Sequence, residues 1–353
     1  MAKKNNPNFI PHIIIISLSL LIFQTCSSHH TKHTHKVNQI IKVTPYIIDY
    51  GNGTIIRDPI ATPSYSSPPN TPQVQSKDIT LTTTQKYQLR ARIITPARPD
   101  PARKIPILLY FHGGAFCIGS AFGWGDTTYL ARVSARANVV AISVDYRLYP
   151  EYPIPSPYDD ARAALNWIAA HRTPNGLNLD PWVAQYGDLN RVFIGGDSAG
   201  GNIAHNLVVR AQESPSGSPV EITGLFLAMP YFLGSKRVPF EPKTIIYSPN
   251  YRIWAYVCPN CKYGVDNKYI NPFGPDGPNL GRLGCKRLLV YTAEIDELRG
   301  RGRWYYEKVK ASGWTGRAQW AEAQGQPHIF HISKPDDPAT TKLIDDLSAF
   351  VNN

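Results

Sequence analysis

A chain of 353 residues can hold one large domain or two average ones, and 42% apolar with 18% charged residues lies in the ordinary globular range, which excludes a disordered polyelectrolyte. The formal net charge is +11, yet lysines and arginines are scattered in ones and twos rather than gathered in a stripe, so no nucleic-acid partner is expected. Five cysteines are too few for a disulfide scaffold.

At the N-terminus, Lys3 and Lys4 precede an uncharged apolar stretch from Ile13 to Phe23, followed by small residues at Thr25, Ser27 and Ser28. That layout reads as a secretory signal peptide over residues 1–28, so a secreted or secretory-pathway protein is expected. The apolar run falls short of the ~20 residues needed to cross a bilayer, and stable membrane insertion is not expected. On an exported chain Asn52-Gly53-Thr54 reads as a glycosylation acceptor, and otherwise as an unmodified turn. Residues 29–45 carry His29, His30, His33 and His35 but read as a solvated polar tail, because nothing there would orient the imidazoles around a metal. The Pro-, Ser- and Thr-rich stretch from Pro59 to Pro72 predicts an extended meander.

From Ile105 onward short apolar runs alternate with longer stretches of helical spacing, the pattern of a mostly parallel sheet wrapped by helices. Strands are predicted at Ile105 to Phe111, Val139 to Val144, Arg191 to Gly195, Gly224 to Ala228 and Arg287 to Thr292, with a short one near Ala318 to Ala321. Helices are predicted at Thr127 to Ala137, Tyr158 to His171, Asn202 to Ala211, Arg303 to Ala311 and near Ala339 to Val351. The region from Pro230 to Cys285 breaks the alternation with Pro, Gly, Asn and aromatic residues and reads as part of a cap over the carboxyl edge of the sheet. Within it, Cys258-Pro-Asn-Cys261 has metal-knuckle spacing, but no second ligand pair exists, so no metal is expected. A local disulfide and two ordinary loop thiols both remain open there.

Gly196-Asp197-Ser198-Ala199-Gly200 follows a predicted strand and precedes a predicted helix, the context that a nucleophile elbow requires. Small neighbours are needed because a serine on so tight a turn has strained dihedrals and lets backbones approach closely. His112-Gly113-Gly114-Ala115 also follows a strand, and its side-chain-poor backbone suits an oxyanion hole with donors Gly113, Gly114 and Ala199. His112 reads as a structural residue of that loop. A serine hydroxyl needs a base and a carboxylate downstream. Asp296 and His328 lie in loops beyond strand ends, which aim side chains at the same edge as Ser198. Glu294, Glu297 and His331 compete with them, and periodicity alone does not separate His328 from His331. His171 and His205 fall on predicted helices. Phe122, Trp124, Tyr129 and Trp254 could line an apolar pocket or pack a core.

With these motifs, and with Asp145-Tyr146-Arg147-Leu148-Tyr149-Pro150-Glu151, Gly200-Gly201-Asn202, Ala293-Glu294-Ile295-Asp296 and His328-Ile329-Phe330-His331, the chain resembles the plant carboxylesterases of the hormone-sensitive-lipase-like branch of the α/β hydrolases. The resemblance runs from about Tyr46 to the C-terminus. It implies an α/β-hydrolase fold over residues 46–353, with a small cap drawn from about 46–75 and 230–285. It also implies a triad of Ser198, Asp296 and His328, the first histidine of its motif, acting on small acyl esters with no cofactor. Three departures stand out. Gln326-Pro327 replaces the acidic residues usual before the catalytic histidine, which should lower the imidazole pKa. Ile295 stands where Lys is common, and many relatives lack an export signal. The same scaffold also serves gibberellin receptors, which lack the histidine that this chain keeps as His328, and lyases or cyclases of plant specialised metabolism, which the motifs do not exclude.

Overall fold

The structure, a computed structural model, describes residues 42–44, 46–57, 71–81, 87–100, 102–173 and 179–353. The expected leader over residues 1–28, the histidine tract and most of the Pro59 to Pro72 meander lie outside them. A small antiparallel sheet comes first, formed by β1 (Lys42–Thr44), β2 (Ile47–Asp49) and β3 (Ile55–Arg57). Its first strand begins inside the stretch read as a polar tail.

The main sheet is built from β4 (Val74–Leu81), β5 (Leu89–Pro96), β6 (Ile105–Phe111), β7 (Val140–Asp145), β8 (Gly187–Asp197), β9 (Ile222–Ala228), β10 (Arg287–Ala293) and β11 (Arg317–Ala323). Their order is β11-β10-β9-β8-β6-β7-β5-β4. The pairings from β11 across to β7 are parallel, while β5 joins β7 and β4 joins β5 antiparallel. All seven residues of β6 are buried, as a strand covered on both faces requires.

Helices α1 (Trp124–Ala137), α2 (Ser156–Ala170), α3 (Pro181–Tyr186), α4 (Ala199–Glu213), α5 (Pro249–Val257), α6 (Arg299–Ala311), α7 (Phe330–Ser333) and α8 (Pro338–Asn352) complete the fold. Leu130 and Val133 of α1 share one apolar cluster with Leu343 and Leu347 of α8, while Leu165 of α2, Ile203 of α4 and Tyr305 of α6 belong to the other, on the opposite face of the sheet. The six strands expected from apolar runs all form, within a few residues of their predicted ends. The antiparallel strands β4 and β5, which end the sheet on one side, were not anticipated, and neither was α5. The reason for β4 and β5 is chemical: Arg92 is buried inside β5 and held by Asp78 of β4 at 2.7 Å, so the strand interior reads as polar.

Candidate active site

Ser198 sits between the end of β8 and the first residue of α4 with φ 53° and ψ −119°, a conformation a non-glycine residue takes only where its surroundings enforce it. Two features enforce it. The Ser198 amide donates to the Ala228 carbonyl of the adjacent strand at 2.9 Å, and Gly200 passes so close to Phe111 that a Cβ would strike the Phe111 carbonyl oxygen. No other residue fits at Gly200.

His328 follows β11 in a loop. Its Nε2 lies 2.9 Å from Ser198 Oγ and its Nδ1 lies 2.8 Å from Asp296 Oδ2. Asp296 follows β10 and is buried, and its second oxygen accepts from the Leu298 amide at 2.9 Å. The structure thus joins Ser198, His328 and Asp296, while His331 lies elsewhere: it is buried edge-on against Tyr129, with its ring centroid 4.7 Å away. Burial drives the His331 pKa down to about 3. Burial also opposes a charged His328, but the Asp296 carboxylate, aided by Asp197 and Glu297, outweighs it and raises the imidazole above its ordinary range. With Gln326-Pro327 in place of acidic residues, the field on the imidazole comes from these three carboxylates. The Gln326 backbone carbonyl accepts from the Ile295 amide at 3.0 Å, and Ile295 is 66% exposed.

The glycine loop after β6 faces Ser198. Gly114 has φ 110°, open to glycine, and Ala115 follows at φ 52°. The Gly113 amide lies against the carboxylate of Asp197. His112 braces the loop as expected: it stacks on Tyr146 at 4.2 Å, and the Tyr146 hydroxyl donates to the His112 carbonyl at 2.8 Å. The rest of that tyrosine's motif is also structural. Arg147 pairs with buried Asp160 at 2.7 Å, and Glu151 pairs with Arg57 of β3 at 2.6 Å.

These groups open on a cavity of about 380 Å³, lined by Gly113, Gly114, Asp197, Ser198 and His328, with Ile118, Ile253, Ile329 and Ile332 giving it an apolar wall. Tyr46, between β1 and β2, and Asn250 of α5 also reach it. At the start of α5, Ser248 Oγ donates to Glu297 Oε2 at 2.5 Å, and Asn250 Nδ2 reaches the same oxygen at 3.2 Å. None of the four aromatic residues suggested as pocket liners lies there. Trp254, Tyr129 and Phe122 are core residues, and Trp124 is 57% exposed.

Sequence reasoning missed two carboxyls at this cavity, Asp126 on α1 and Asp197 itself. Asp197 accepts from the Tyr110 hydroxyl at 2.9 Å, and burial pushes its pKa up to about 6. Asp126 lies one residue before the predicted helix start at Thr127, and in the structure it is an acidic first-turn residue, a common helix feature. His171 and His205 stand apart, the latter buried beside Tyr305 at 2.9 Å. Among the described residues no cluster of histidine, cysteine or carboxylate side chains could hold a metal ion, and Cys258 and Cys261 form a disulfide.

A strained serine turn between strand and helix, an aligned imidazole and carboxylate, and a glycine loop at the carboxyl edge of a mostly parallel sheet define a class of proteins, and the comparisons agree. A family profile described as the alpha/beta hydrolase fold matches residues 108–332. The chain is 41% identical over 318 residues to a 2-hydroxyisoflavanone dehydratase of Glycyrrhiza echinata, covering 88% of this chain and 95% of that protein. It is 38% identical to the probable carboxylesterase 2 of Arabidopsis thaliana, covering 88% and 96%, and 36% identical to the chloroplastic tuliposide A-converting enzyme 1 of Tulipa gesneriana, covering 88% and 78%. Among solved structures, the thermostable carboxylesterase EstE1 from a metagenomic library superposes with a TM-score of 0.64 at 26% identity, over 82% of this chain and 90% of that one. The chain belongs to the α/β-hydrolase family, in the plant branch typified by hormone-sensitive-lipase-like carboxylesterases.

One expectation is corrected by the same comparisons. The tuliposide-converting relatives are chloroplastic or amyloplastic, which overturns the secretory reading of residues 1–28. The misreading has a physical source: organellar leaders are also basic and poor in acids, and no Asp or Glu precedes Asp49, so the charge pattern did not discriminate. The case for glycosylation at Asn52 rested on export and falls with it. Among the described residues no helix is long and apolar enough to cross a membrane.

Proposed function

We propose that the protein is a serine carboxylesterase acting on small acyl esters. The observation that carries this reading is the unbroken hydrogen-bonded line from Asp296 through His328 to Ser198 at the cavity floor. In the proposed reaction Ser198 Oγ attacks the ester carbonyl carbon as its proton passes to His328 Nε2. Asp296 fixes the tautomer by accepting the Nδ1 proton and stabilises the imidazolium. The developing oxyanion accepts from the amides of Gly113, Gly114 and Ala199; that of Gly113 is shared with Asp197, and Ala115 stands next in the loop. Collapse expels the alcohol, which takes the proton from His328, and water then repeats the sequence to release the acid and restore Ser198. The segments around Tyr46 and α5 serve as the cap, closing the apolar side of the cavity. No cofactor or metal enters these steps.

A second reading is favoured by the relatives named as 2-hydroxyisoflavanone dehydratases. On the same site His328 would abstract a proton next to a carbonyl while the oxyanion amides hold the enolate, and the β-hydroxyl would leave as water on taking that proton back from His328, without an acyl-enzyme. Hydrolysis of short p-nitrophenyl esters by the wild-type protein and by Ser198→Ala separates the two. The esterase reading requires turnover that the substitution abolishes. Conversion of a β-hydroxy carbonyl compound that persists in Ser198→Ala, with no ester cleavage, would replace it. A plastid address, by likeness to the tulip enzymes, is tested by following a fluorescent protein fused to residues 1–48 in leaf cells.

A further inference from the structure

Asp126 is the third residue of α1, is only 7% exposed, and lines the cavity. The other carboxylates nearby are occupied. Asp197 accepts from Tyr110, Asp145 accepts from Ser120 and pairs with Arg90, and Asp296 holds His328. The Asp126 carboxyl, among the described residues, meets no donor but its own backbone amide. Arg92, which reaches α1, is directed at Thr127 and Asp78 instead. A carboxyl buried to this degree has lost most of its water and gained only its own backbone amide, a cost that a bound ligand can offset.

We propose that Asp126 determines substrate choice by hydrogen-bonding a hydroxyl group on the part of the substrate that enters between the glycine loop and α1. The inference rests on the esterase reading for the reaction, but not for the binding. Burial, and then the charge of Asp197, raise the Asp126 carboxyl above the usual range, which favours the protonated form, with an O–H donor beside its acceptor oxygen. A hydroxyl both donates and accepts and is complementary to it. A simple alkyl chain would leave the carboxyl unsatisfied, and sites built to bond a hydroxyl reject analogues lacking one more strongly than apolar pockets reject a methylene. An ammonium group would be matched by an ionised carboxylate, which this environment disfavours.

The test uses 4-nitrophenyl 3-phenylpropanoate and its ring-hydroxylated forms, with phenethyl acetates carrying the same hydroxyls on the alcohol side. The readout is the ratio of kcat/KM for the best hydroxylated ester to that for its parent. The ratio should exceed about tenfold in the wild type, fall towards one in Asp126→Leu and persist in Asp126→Asn, whose amide also donates and accepts. Asp126→Ala serves if the leucine variant does not fold. The ratio of Kd values for the same esters, measured on Ser198→Ala protein, gives the result without turnover. A hydroxyl preference in Kd with no ester cleavage by the wild type leaves Asp126 in its role and removes the esterase reading. A wild-type ratio near one, a ratio unchanged in Asp126→Leu, or a preference for an aminomethyl analogue overturns the proposal.

Discussion

The guanidinium of Arg301 lies 2.6 Å from the carboxylate of Glu241, and neither side chain is more than 4% exposed. Arg301 sits on α6, and Glu241 lies in the segment between β9 and β10 that carries α5. Arg301 also donates to the carbonyls of Gly234 and Lys236 at 2.9 and 2.6 Å, while Glu241 accepts from the Val238 amide at 2.6 Å. The pair pins this segment to the body of the sheet. Removing one partner strands a buried charge, so Glu241→Ala should cost about 3–5 kcal/mol, read as a lower urea midpoint. The double variant Glu241→Met with Arg301→Leu should recover much of that loss, because no charge remains to be solvated.

The raised pKa of His328 has a kinetic consequence. The proposed base must be neutral to take the Ser198 proton, so kcat/KM should rise with pH along a limb whose midpoint lies above 6.5, the ordinary histidine value. Asp296→Asn removes the dominant favourable charge. Its limb should move to lower pH while kcat falls by about 10⁴-fold, since the tautomer is no longer held. A midpoint unmoved by that substitution would show that Asp296 does not set the imidazole's charge.

Asp197 predicts a stability effect of the opposite kind to an exposed salt bridge. Its folded pKa of about 6 exceeds the ordinary aspartate value of 3.8, so the native state binds this proton more readily than the unfolded chain. Its contribution is complete below pH 4 and is lost as pH rises towards and through 6. The loss amounts to at most about 3 kcal/mol. Urea titrations of the wild type and Asp197→Asn across pH 4 to 8 should therefore diverge, with the variant losing less stability on the alkaline side.

The disulfide between Cys258 and Cys261 follows α5 directly and closes a loop of few residues. Such a short loop removes little entropy from the unfolded chain, giving about 2 kcal/mol at most. Reduction, or Cys258→Ser with Cys261→Ser, should lower the melting temperature by only a few degrees and leave the buried Cys117 and Cys285 untouched. A collapse of the fold on reduction would contradict this.

The central strands were legible because burial on both faces leaves near-continuous apolar runs, as in β6 and β10. The elbow and glycine loop were legible because their geometry demands small residues in fixed order. Asp296 and His328 could be placed beyond strand ends, but the choice of His328 over His331 came from family resemblance; the hydrogen bond to Ser198 places His328 at the site. What stayed hidden depends on distant partners. Arg92 inside β5 makes sense only once Asp78 is opposite it, and Asp126 gains significance only when the cavity opens beside α1. The leader was misread because its charge pattern is shared by more than one destination.

The bonds from Ser248 and Asn250 to Glu297 tie the first turn of α5 to the residue beside Asp296. Reshaping the mouth of the cavity by exchanging this helix with that of a cousin would therefore also detune the imidazole, unless residue 297 and its two partners travelled together. A change of substrate range made through α5 would on that account require residue 297 to change with the helix.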